Sequence, residues 1–166
     1  MAAPKFVWTV CLVGLTLALT LTLTAIVAVA KSSPKDFVDA HNTIRAEYGV
    51  GPVAWNTTLA DYAENFAKTR VDTCEMEHSM GPYGESLAEA FESTTAEATV
   101  KYWASEKEFY DHKANKCVND ECGHFLNVVW KDTKYIGCAE VKCKNNYIFT
   151  ICNYFPPGGY PDQLPY

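Results

Sequence analysis

The sequence feature that most constrains the fold of this 166-residue chain is its set of seven cysteines. An even number of cysteines in a short secreted domain is typical of a disulfide framework. Cys11 lies in an apolar N-terminal stretch, which leaves an even set of six: Cys74, Cys117, Cys122, Cys138, Cys143 and Cys152. We therefore expect three disulfides, whose pairing the spacing leaves open. Zinc ligation is the alternative, but the gaps within Cys117/Cys122 and Cys138/Cys143 fit CxxC-type ligand spacing poorly.

Residues 1–30 resemble a secretory signal peptide. Lys5 precedes 25 uncharged residues, Phe6 to Ala30, and Ala28-Val29-Ala30 places small side chains where a signal peptidase cuts. A run of this length also suits a signal anchor, although its five threonines weaken a permanent span. We expect cleavage near Ala30, which leaves residues 31–166 as one domain in an oxidising extracellular compartment.

The charge and composition of residues 31–166 exclude several classes of protein. Thirteen basic and twenty acidic side chains, with no basic block, argue against nucleic-acid binding. Twenty aromatic residues against four leucines argue against a disordered chain and against a leucine-zipper bundle. The sequence also lacks a phosphate loop, a dinucleotide fingerprint, HExxH and GxSxG.

Apolar periodicity predicts helices first and a β-hairpin last, which is typical of the α+β class. The predicted helices run from Pro34 to Gly49, from Asn56 or Thr57 to about Arg70, and from Thr94 or Thr95 to Lys107. The third helix is expected to place Ala98, Tyr102 and either Ser105 or Glu106 along one face.

The predicted hairpin consists of strands Tyr135–Lys142 and Tyr147–Tyr154. After it, the proline-rich residues 156–166 are expected to form an extended surface strip. Asn56-Thr57-Thr58 is an N-glycosylation sequon at the expected exposed start of the second helix, so we expect a glycan on Asn56.

Four segments in chain order resemble the motifs of the CAP superfamily, which groups cysteine-rich secretory, antigen 5 and pathogenesis-related proteins. They are His41–Arg45 (HNTIR), Tyr83–Leu87 (YGESL), Gly123–Trp130 (GHFLNVVW) followed by Gly137–Ala139 (GCA), and Cys152–Gly158 (CNYFPPG). The resemblance extends from about Lys35 to Tyr166 and points to the plant pathogenesis-related class-one branch. It implies a three-layer α-β-α sandwich with Cys74 paired to Cys143, Cys117 to Cys122 and Cys138 to Cys152.

The resemblance also implies a cleft lined by His78, Glu85, Glu106 and His124. Two imidazoles and two carboxylates are suitable ligands for Zn²⁺ or another divalent cation. The same groups can instead form a hydrogen-bond network that satisfies a polar cavity and requires no cofactor. His41, on the inner face of the first helix, is expected to be a packing histidine.

A metal-dependent hydrolase is the alternative function suggested by this cleft. Ser79 beside His78, and Ser86, separately suggest a Ser/His hydrolase, but the sequence shows no nucleophile elbow or oxyanion donor to support one. Ser86 stands where the family usually has asparagine, and Leu126 and Asn127 replace its commoner Thr-Gln. We therefore expect the cavity chemistry to depart from the family pattern while the fold is kept.

The resemblance implies a secreted, non-enzymatic and monomeric plant defence protein of the apoplast that acts on fungi or oomycetes by binding a sterol or another apolar lipid. The family's sterol site is an aromatic-rich loop after the third helix, which corresponds here to Trp103, Phe109 and Tyr110, with Tyr102 nearby. Flat rings suit a flat sterol, and core packing is the competing role of the same rings.

A second implied function is peptide signalling. Plant relatives release the segment after CNYx as a short defence peptide, so a protease and a receptor are the implied partners. This chain keeps Pro156-Pro157-Gly158 and ends in Pro165-Tyr166. Phe155 and Gly159 replace the family's usual aspartate and asparagine, so release is expected to be slower or to need a different protease.

Overall fold

A computed structural model describes residues 31–166, so the predicted signal peptide lies outside the described residues. The elements, in chain order, are α1 (Pro34–Glu47), β1 (Ala54–Trp55), α2 (Thr57–Arg70), β2 (Gly84–Phe91), α3 (Ala96–Ser105), a 3₁₀ turn (Glu106–Phe109), β3 (Tyr110–Asp111), β4 (Lys116–Cys117), α4 (Gly123–Val129), β5 (Tyr135–Lys142) and β6 (Tyr147–Phe155). No helix among these is long and apolar enough to cross a membrane.

The first two helices begin at residues whose side chains cap free backbone amides. Ser33 forms a capping box with Asp36, and Pro34 occupies the first turn of α1, where a missing N–H costs nothing. Asn56 caps α2, because its Oδ1 accepts a hydrogen bond from the Leu59 amide at 3.1 Å. A glycan on the sequon would be attached through Nδ2, so capping and glycosylation use different atoms of Asn56.

The predicted hairpin is confirmed and forms the centre of a four-stranded sheet with the order β1-β5-β6-β2. β6 pairs antiparallel with both β5 and β2, and β1 pairs parallel with β5. In this register Cys138 lies directly opposite Cys152. Strands β3 and β4 form a separate two-stranded ladder.

The sheet lies between two helical layers, each with its own apolar cluster. On one face, Ala63 and Ala67 of α2 pack with Phe149 and Ile151 of the hairpin. On the other face, α1, α3 and α4 bury a larger cluster that includes Phe37, Val100, Trp103, Phe125 and Val128. The α+β class and the three-layer α-β-α arrangement are therefore confirmed.

Three disulfides join Cys74 to Cys143, Cys117 to Cys122 and Cys138 to Cys152, which is the pairing that the resemblance implies. The first ties the segment after α2 to the end of β5 across a sequence separation of 69 residues. In the chain-entropy model a loop of that length contributes about 4 kcal/mol to stability, and the hairpin loop closed by Cys138–Cys152 contributes about 3 kcal/mol.

The third helix differs from the prediction in its end and in its buried face. α3 ends at Ser105 and continues as a 3₁₀ turn, and Ala98, Tyr102 and Ser105 are exposed. The buried residues are Ala96, Thr99, Val100, Trp103 and Ala104. Tyr102 and Trp103 are sequence neighbours on different faces, and the stripe containing the larger apolar area takes the core.

Ser32 ties the start of the described chain to two other elements. Its amide and hydroxyl donate to the two carboxylate oxygens of Glu140 on β5, at 3.0 Å and 3.1 Å. The same hydroxyl accepts a hydrogen bond from the Ala96 amide, the first residue of α3, at 2.9 Å. The residue before the α1 cap is therefore fixed against the folded domain.

Candidate functional site

The four predicted cleft residues form two separate His–Glu pairs. In one pair, Glu106 Oε1 lies 2.6 Å from His124 Nδ1. Glu106 Oε2 accepts hydrogen bonds from the amides of His124 and Phe125, at 3.0 Å and 3.3 Å. These are free amides of the first turn of α4, so the carboxylate satisfies the helix N-terminus as well as orienting the imidazole.

The second pair joins the loop before β2 to the start of that strand. His78 Nδ1 lies 2.7 Å from Glu85 Oε1, which also accepts from the Ser79 amide at 2.9 Å. The His78 side chain is 54% exposed, whereas that of Glu85 is 7% exposed. Glu85 Oε2 is buried without a hydrogen-bond partner among the described residues, so a bound water or ligand donor would be favourable at this oxygen.

The two pairs do not converge into a metal site. Among residues 31–166, no group of three or more His, Cys, Asp and Glu side chains could hold a metal ion. Both imidazoles use Nδ1 to contact a carboxylate, and each carboxylate also accepts from backbone amides. As arranged, these residues do not fit a resident Zn²⁺ ion, which needs at least three protein ligands around one point.

A buried polar chain lies behind the cleft. His41 is fully buried, and its Nδ1 lies 2.7 Å from the Phe37 carbonyl oxygen while its Nε2 lies 3.0 Å from the Tyr154 hydroxyl. Burial lowers the pKa of His41 to about 4, so the imidazole is neutral, Nδ1–H donates to the carbonyl, and Nε2 accepts from the hydroxyl. Burial also raises the pKa of Tyr154 far above its ordinary value, so the phenol stays protonated. His41 is therefore a packing histidine, as expected.

Two departures from the family pattern contact each other. Asn127 Nδ2 donates to Ser86 Oγ at 3.2 Å and to the Glu85 carbonyl oxygen at 2.9 Å. Ser86 is fully buried. The shorter Ser86 and the amide of Asn127 thus form a buried polar contact beside the backbone of Glu85.

Trp103 is part of the core and does not present a surface to a lipid. It is 0% exposed, and its indole N–H donates to the Leu87 carbonyl oxygen at 2.8 Å. Its ring centroid lies 6.3 Å from that of His41 and 6.2 Å from that of His124, and it is stacked on the latter. This corrects its assignment as a lipid-contact residue, since a fully buried indole has no surface left for a ligand.

Phe109 and Tyr110 lie in the loop of residues 106–122, which we call the 106–122 loop, and both are partly exposed. The Val118 amide donates to the Phe109 carbonyl oxygen at 2.7 Å, and the Tyr110 hydroxyl donates to Asn115 Oδ1 at 2.6 Å. The β3–β4 ladder and the Cys117–Cys122 disulfide also hold this loop. The backbone that carries its aromatic residues is therefore held in one conformation by these contacts.

Tyr110 also belongs to a group of five packed rings, which we call the aromatic cluster: Tyr48, Tyr110, His112, Phe125 and Tyr166. The Tyr166 ring lies 4.7 Å from that of Tyr48 and 4.8 Å from that of His112, measured between centroids. Burial raises the pKa of the three tyrosines, which stay neutral. Sequence reasoning missed this cluster, because the docking of a chain end leaves no periodic pattern.

The structural role of Arg45 was also not apparent from the sequence. It is 0% exposed, and its guanidinium donates to four backbone carbonyls, those of Gly51, Val128, Trp130 and Thr133, at 2.8–3.1 Å. Burial lowers its pKa to about 10, which still leaves it charged at neutral pH. Arg45 thereby joins α1 to the end of α4, and the HNTIR motif positions the helix that carries His124.

Comparison with known proteins gives consistent results. Residues 38–154 match the family model described as "CAP: Cysteine-rich secretory protein family". The chain is 47% identical over 137 residues to the basic form of pathogenesis-related protein 1 of Nicotiana tabacum, covering 82% of this chain and 77% of that protein. It is 44% identical over 137 residues to pathogenesis-related protein 1 of Arabidopsis thaliana, covering 82% and 84%.

The fold comparison agrees. The structure of Schistosoma mansoni venom allergen-like protein 4 superposes with a TM-score of 0.65 at 27% sequence identity, covering 80% of this chain and 92% of that one. Sequence, fold and disulfide framework therefore lead to one assignment: the chain belongs to the CAP family of cysteine-rich secretory proteins, in its plant pathogenesis-related protein 1 branch.

Proposed function

We propose that this pathogenesis-related protein is secreted to the apoplast, binds a sterol or a similar flat apolar lipid, and acts by that binding against fungi or oomycetes. The observation that carries the proposal is the partly exposed pair Phe109 and Tyr110 on a loop closed by the Cys117–Cys122 disulfide. Aromatic rings that are already ordered lose little conformational entropy when a flat ligand stacks on them.

Exposure and charge favour this loop as the contact surface. Tyr102, on the last turn of α3, is 62% exposed and adds an aromatic ring before the loop. Residues 31–166 carry seven more acidic than basic side chains, which disfavours approach to an anionic lipid headgroup. A neutral, weakly polar ligand such as a sterol fits these conditions better than a phospholipid surface.

Sterol binding is tested with radiolabelled sterol and the purified secreted protein. Phe109→Ala is expected to weaken binding about tenfold, because the loss of a partly buried ring contact costs on the order of 1–2 kcal/mol. Phe91→Ala is the matched control, since Phe91 is 59% exposed at the end of β2, outside the 106–122 loop. An absence of sterol binding, or equal losses in both variants, would overturn the proposal.

A metal-dependent hydrolase remains the alternative, and the geometry gives it less support, because no group of three or more His, Cys, Asp and Glu side chains among residues 31–166 could hold a metal ion. A Ser/His hydrolase is a separate possibility, but the described hydrogen bonds place the Ser79 hydroxyl against Tyr62 and the Ser86 hydroxyl against Asn127, and neither hydroxyl is hydrogen-bonded to a histidine among residues 31–166. Nucleophilic catalysis needs a base within hydrogen-bond reach of the nucleophile. Hydrolysis that is abolished both by a chelator and by His124→Ala would favour this alternative.

We also propose that residues 156–166 are a source of defence peptide. This segment follows the last residue of β6, and all six paired cysteines precede it. Its loss would leave the sheet and the three disulfides in place. Phe155, before the proposed cut, is 47% exposed.

A further inference from the structure

Residues 156–166, which we call the C-terminal segment, are fixed at their first end although they form neither helix nor strand. The Thr133 hydroxyl donates to the Pro156 carbonyl oxygen at 2.9 Å. The backbone of Gly158 lies against the Trp130 indole so closely that a Cβ there would be 2.4 Å from Cγ of the indole. Only glycine allows this approach, so the segment leaves β6 along a defined path.

The far end of the C-terminal segment is fixed independently. Pro165 is buried, and its carbonyl oxygen accepts a hydrogen bond from the Lys131 amide at 2.7 Å. The Tyr166 ring completes the aromatic cluster, stacked on His112 with an interplanar angle of 27° and packed against Tyr48. The Phe125 and Tyr110 rings lie 6.2 Å and 6.3 Å from it.

Between these ends the segment is mostly exposed to solvent and makes few hydrogen bonds with the domain. Residues 159–164 are exposed. Asn115 Nδ2 donates to the carbonyl oxygens of Pro161 and Gln163, at 2.9 Å and 3.1 Å. Backbone carbonyls held by donors of the domain, together with a terminal aromatic side chain in a pocket of rings, are the contacts by which domains bind short peptides.

We propose that the folded domain carries a binding site for a peptide that contains Pro-Tyr, and that the chain's own C-terminal segment occupies it. The rings of Tyr48, Tyr110, His112 and Phe125 receive that tyrosine. The Lys131 amide and Asn115 hold the peptide backbone. A segment cut after Phe155 stays bound to the domain until it dissociates.

Occupation of this site also covers part of the surface that we propose for sterol. Tyr166 packs on Tyr110, so the segment must move before Tyr110 offers a full ring face to a ligand. This consequence rests on the proposed function. The peptide site itself does not, because its contacts are all within the domain.

The test is binding of a fluorescent synthetic peptide with the sequence of residues 156–166 to the intact secreted protein and to variants with a loosened segment. In the intact protein the tethered segment competes at an effective concentration on the order of mM. Tyr166→Ala and Gly158→Ala, acting at opposite ends, are each expected to strengthen binding of the added peptide at least about tenfold. Leu164→Ala, at an exposed position of the segment, should leave it unchanged.

Two controls make the result specific. A peptide carrying Tyr166→Ala should lose binding, whereas one carrying Tyr166→Phe should keep it, since the phenyl ring still fills the aromatic cluster. A photo-crosslinking peptide added in excess to the intact protein, which needs no variant, should label Tyr48, Tyr110 or His112. Equal binding by intact and loosened proteins, or labelling elsewhere, would overturn the inference, whatever the result with sterol.

Discussion

His41 makes the stability of the domain depend on pH through a single side chain. Its imidazole is enclosed between α1 and Tyr154, and burial holds its pKa at about 4, against about 6.5 in the unfolded chain. Between these two values the unfolded state binds more protons than the folded state. The contribution of His41 is therefore complete above pH 6.5 and is lost as the pH falls towards 4.

Replacing His41 should remove this part of the pH dependence. The wild-type protein is expected to lose up to about 3 kcal/mol of unfolding free energy through this group between pH 7 and pH 4. His41→Gln should give a flatter profile in urea unfolding measured across that range. Thr43→Ala, on the exposed face of the same helix, should keep the wild-type slope. Identical slopes for His41→Gln and wild type would show that His41 is not the group responsible.

The positions of single residues were predictable where a motif names them, and their burial was not predictable where it depends on tertiary packing. The pairs His78–Glu85 and Glu106–His124 join residues that the resemblance names together. Trp103 could not be assigned from the sequence, because an aromatic side chain near a helix end suits the core or the surface equally. In the folded domain it lies on the buried face of α3 with Thr99, Val100 and Ala104.

At the level of elements, α2 rests on the sheet at a position that only glycine permits. A Cβ at Gly137 of β5 would lie 2.1 Å from the Ala60 amide nitrogen and 2.5 Å from the Leu59 carbonyl carbon. Both are backbone atoms in the first turn of α2, and the neighbouring Asn153 also directs its amide towards Leu59 at 3.5 Å. The GCA and CNY motifs thus meet under the start of one helix.

Gly137→Ala should displace α2 from the sheet. We expect a loss of about 3 kcal/mol in unfolding free energy, because the clash is with backbone that cannot rotate away. Gly123→Ala is the matched control, since a Cβ there meets nothing within 4 Å in the first turn of α4, and it should change stability by less than about 1 kcal/mol. Urea denaturation of both variants measures the difference. Equal stabilities would mean that α2 adjusts freely.

The hairpin was the element most accessible from the sequence, and α3 the least. The bounds of β5 match the prediction and β6 extends it by one residue, because both runs are β-prone and a turn with Asn146 in the left-handed region separates them. In α3, the predicted apolar face containing Tyr102 and the observed one containing Trp103 are offset by one residue, so periodicity alone could not show which face is buried.

At the scale of the whole molecule, the pairing of the last residue of β6 determines how easily a protease can release residues 156–166. The Phe155 carbonyl oxygen accepts a hydrogen bond from the Lys134 amide at 3.0 Å, and Phe155 pairs with Tyr135. A protease must open the end of β6 to reach the bond before Pro156. This cost adds to the replacement of the family's usual aspartate by Phe155.

We therefore expect slow release of a fragment that begins at Pro156. Mass spectrometry of cell-wall fluid should detect this fragment at low levels for the wild-type protein and at higher levels for Phe155→Asp, which restores the residue usual in the family. A fluid in which neither protein yields a fragment starting at Pro156 would contradict the peptide function.

The overall architecture was predictable because the motifs and cysteines extend across both helical layers and the sheet. The docking of residues 156–166 was only partly predictable. Their prolines indicate an extended strip, but its attachment depends on Trp130, Lys131 and Asn115, which no local pattern connects to the chain end.

The anchoring of Ser32 has a consequence for biosynthesis. Only Lys31 separates Ser32 from Ala30, where the sequence predicts that a signal peptidase cuts. A peptidase needs several residues in extended form on both sides of the bond, and in the folded domain Ser32 is bonded to Glu140 and to the start of α3. If a signal peptidase removes residues 1–30 at this bond, we therefore expect cleavage to come before closure of the domain, and folding with oxidation of the six cysteines to follow it.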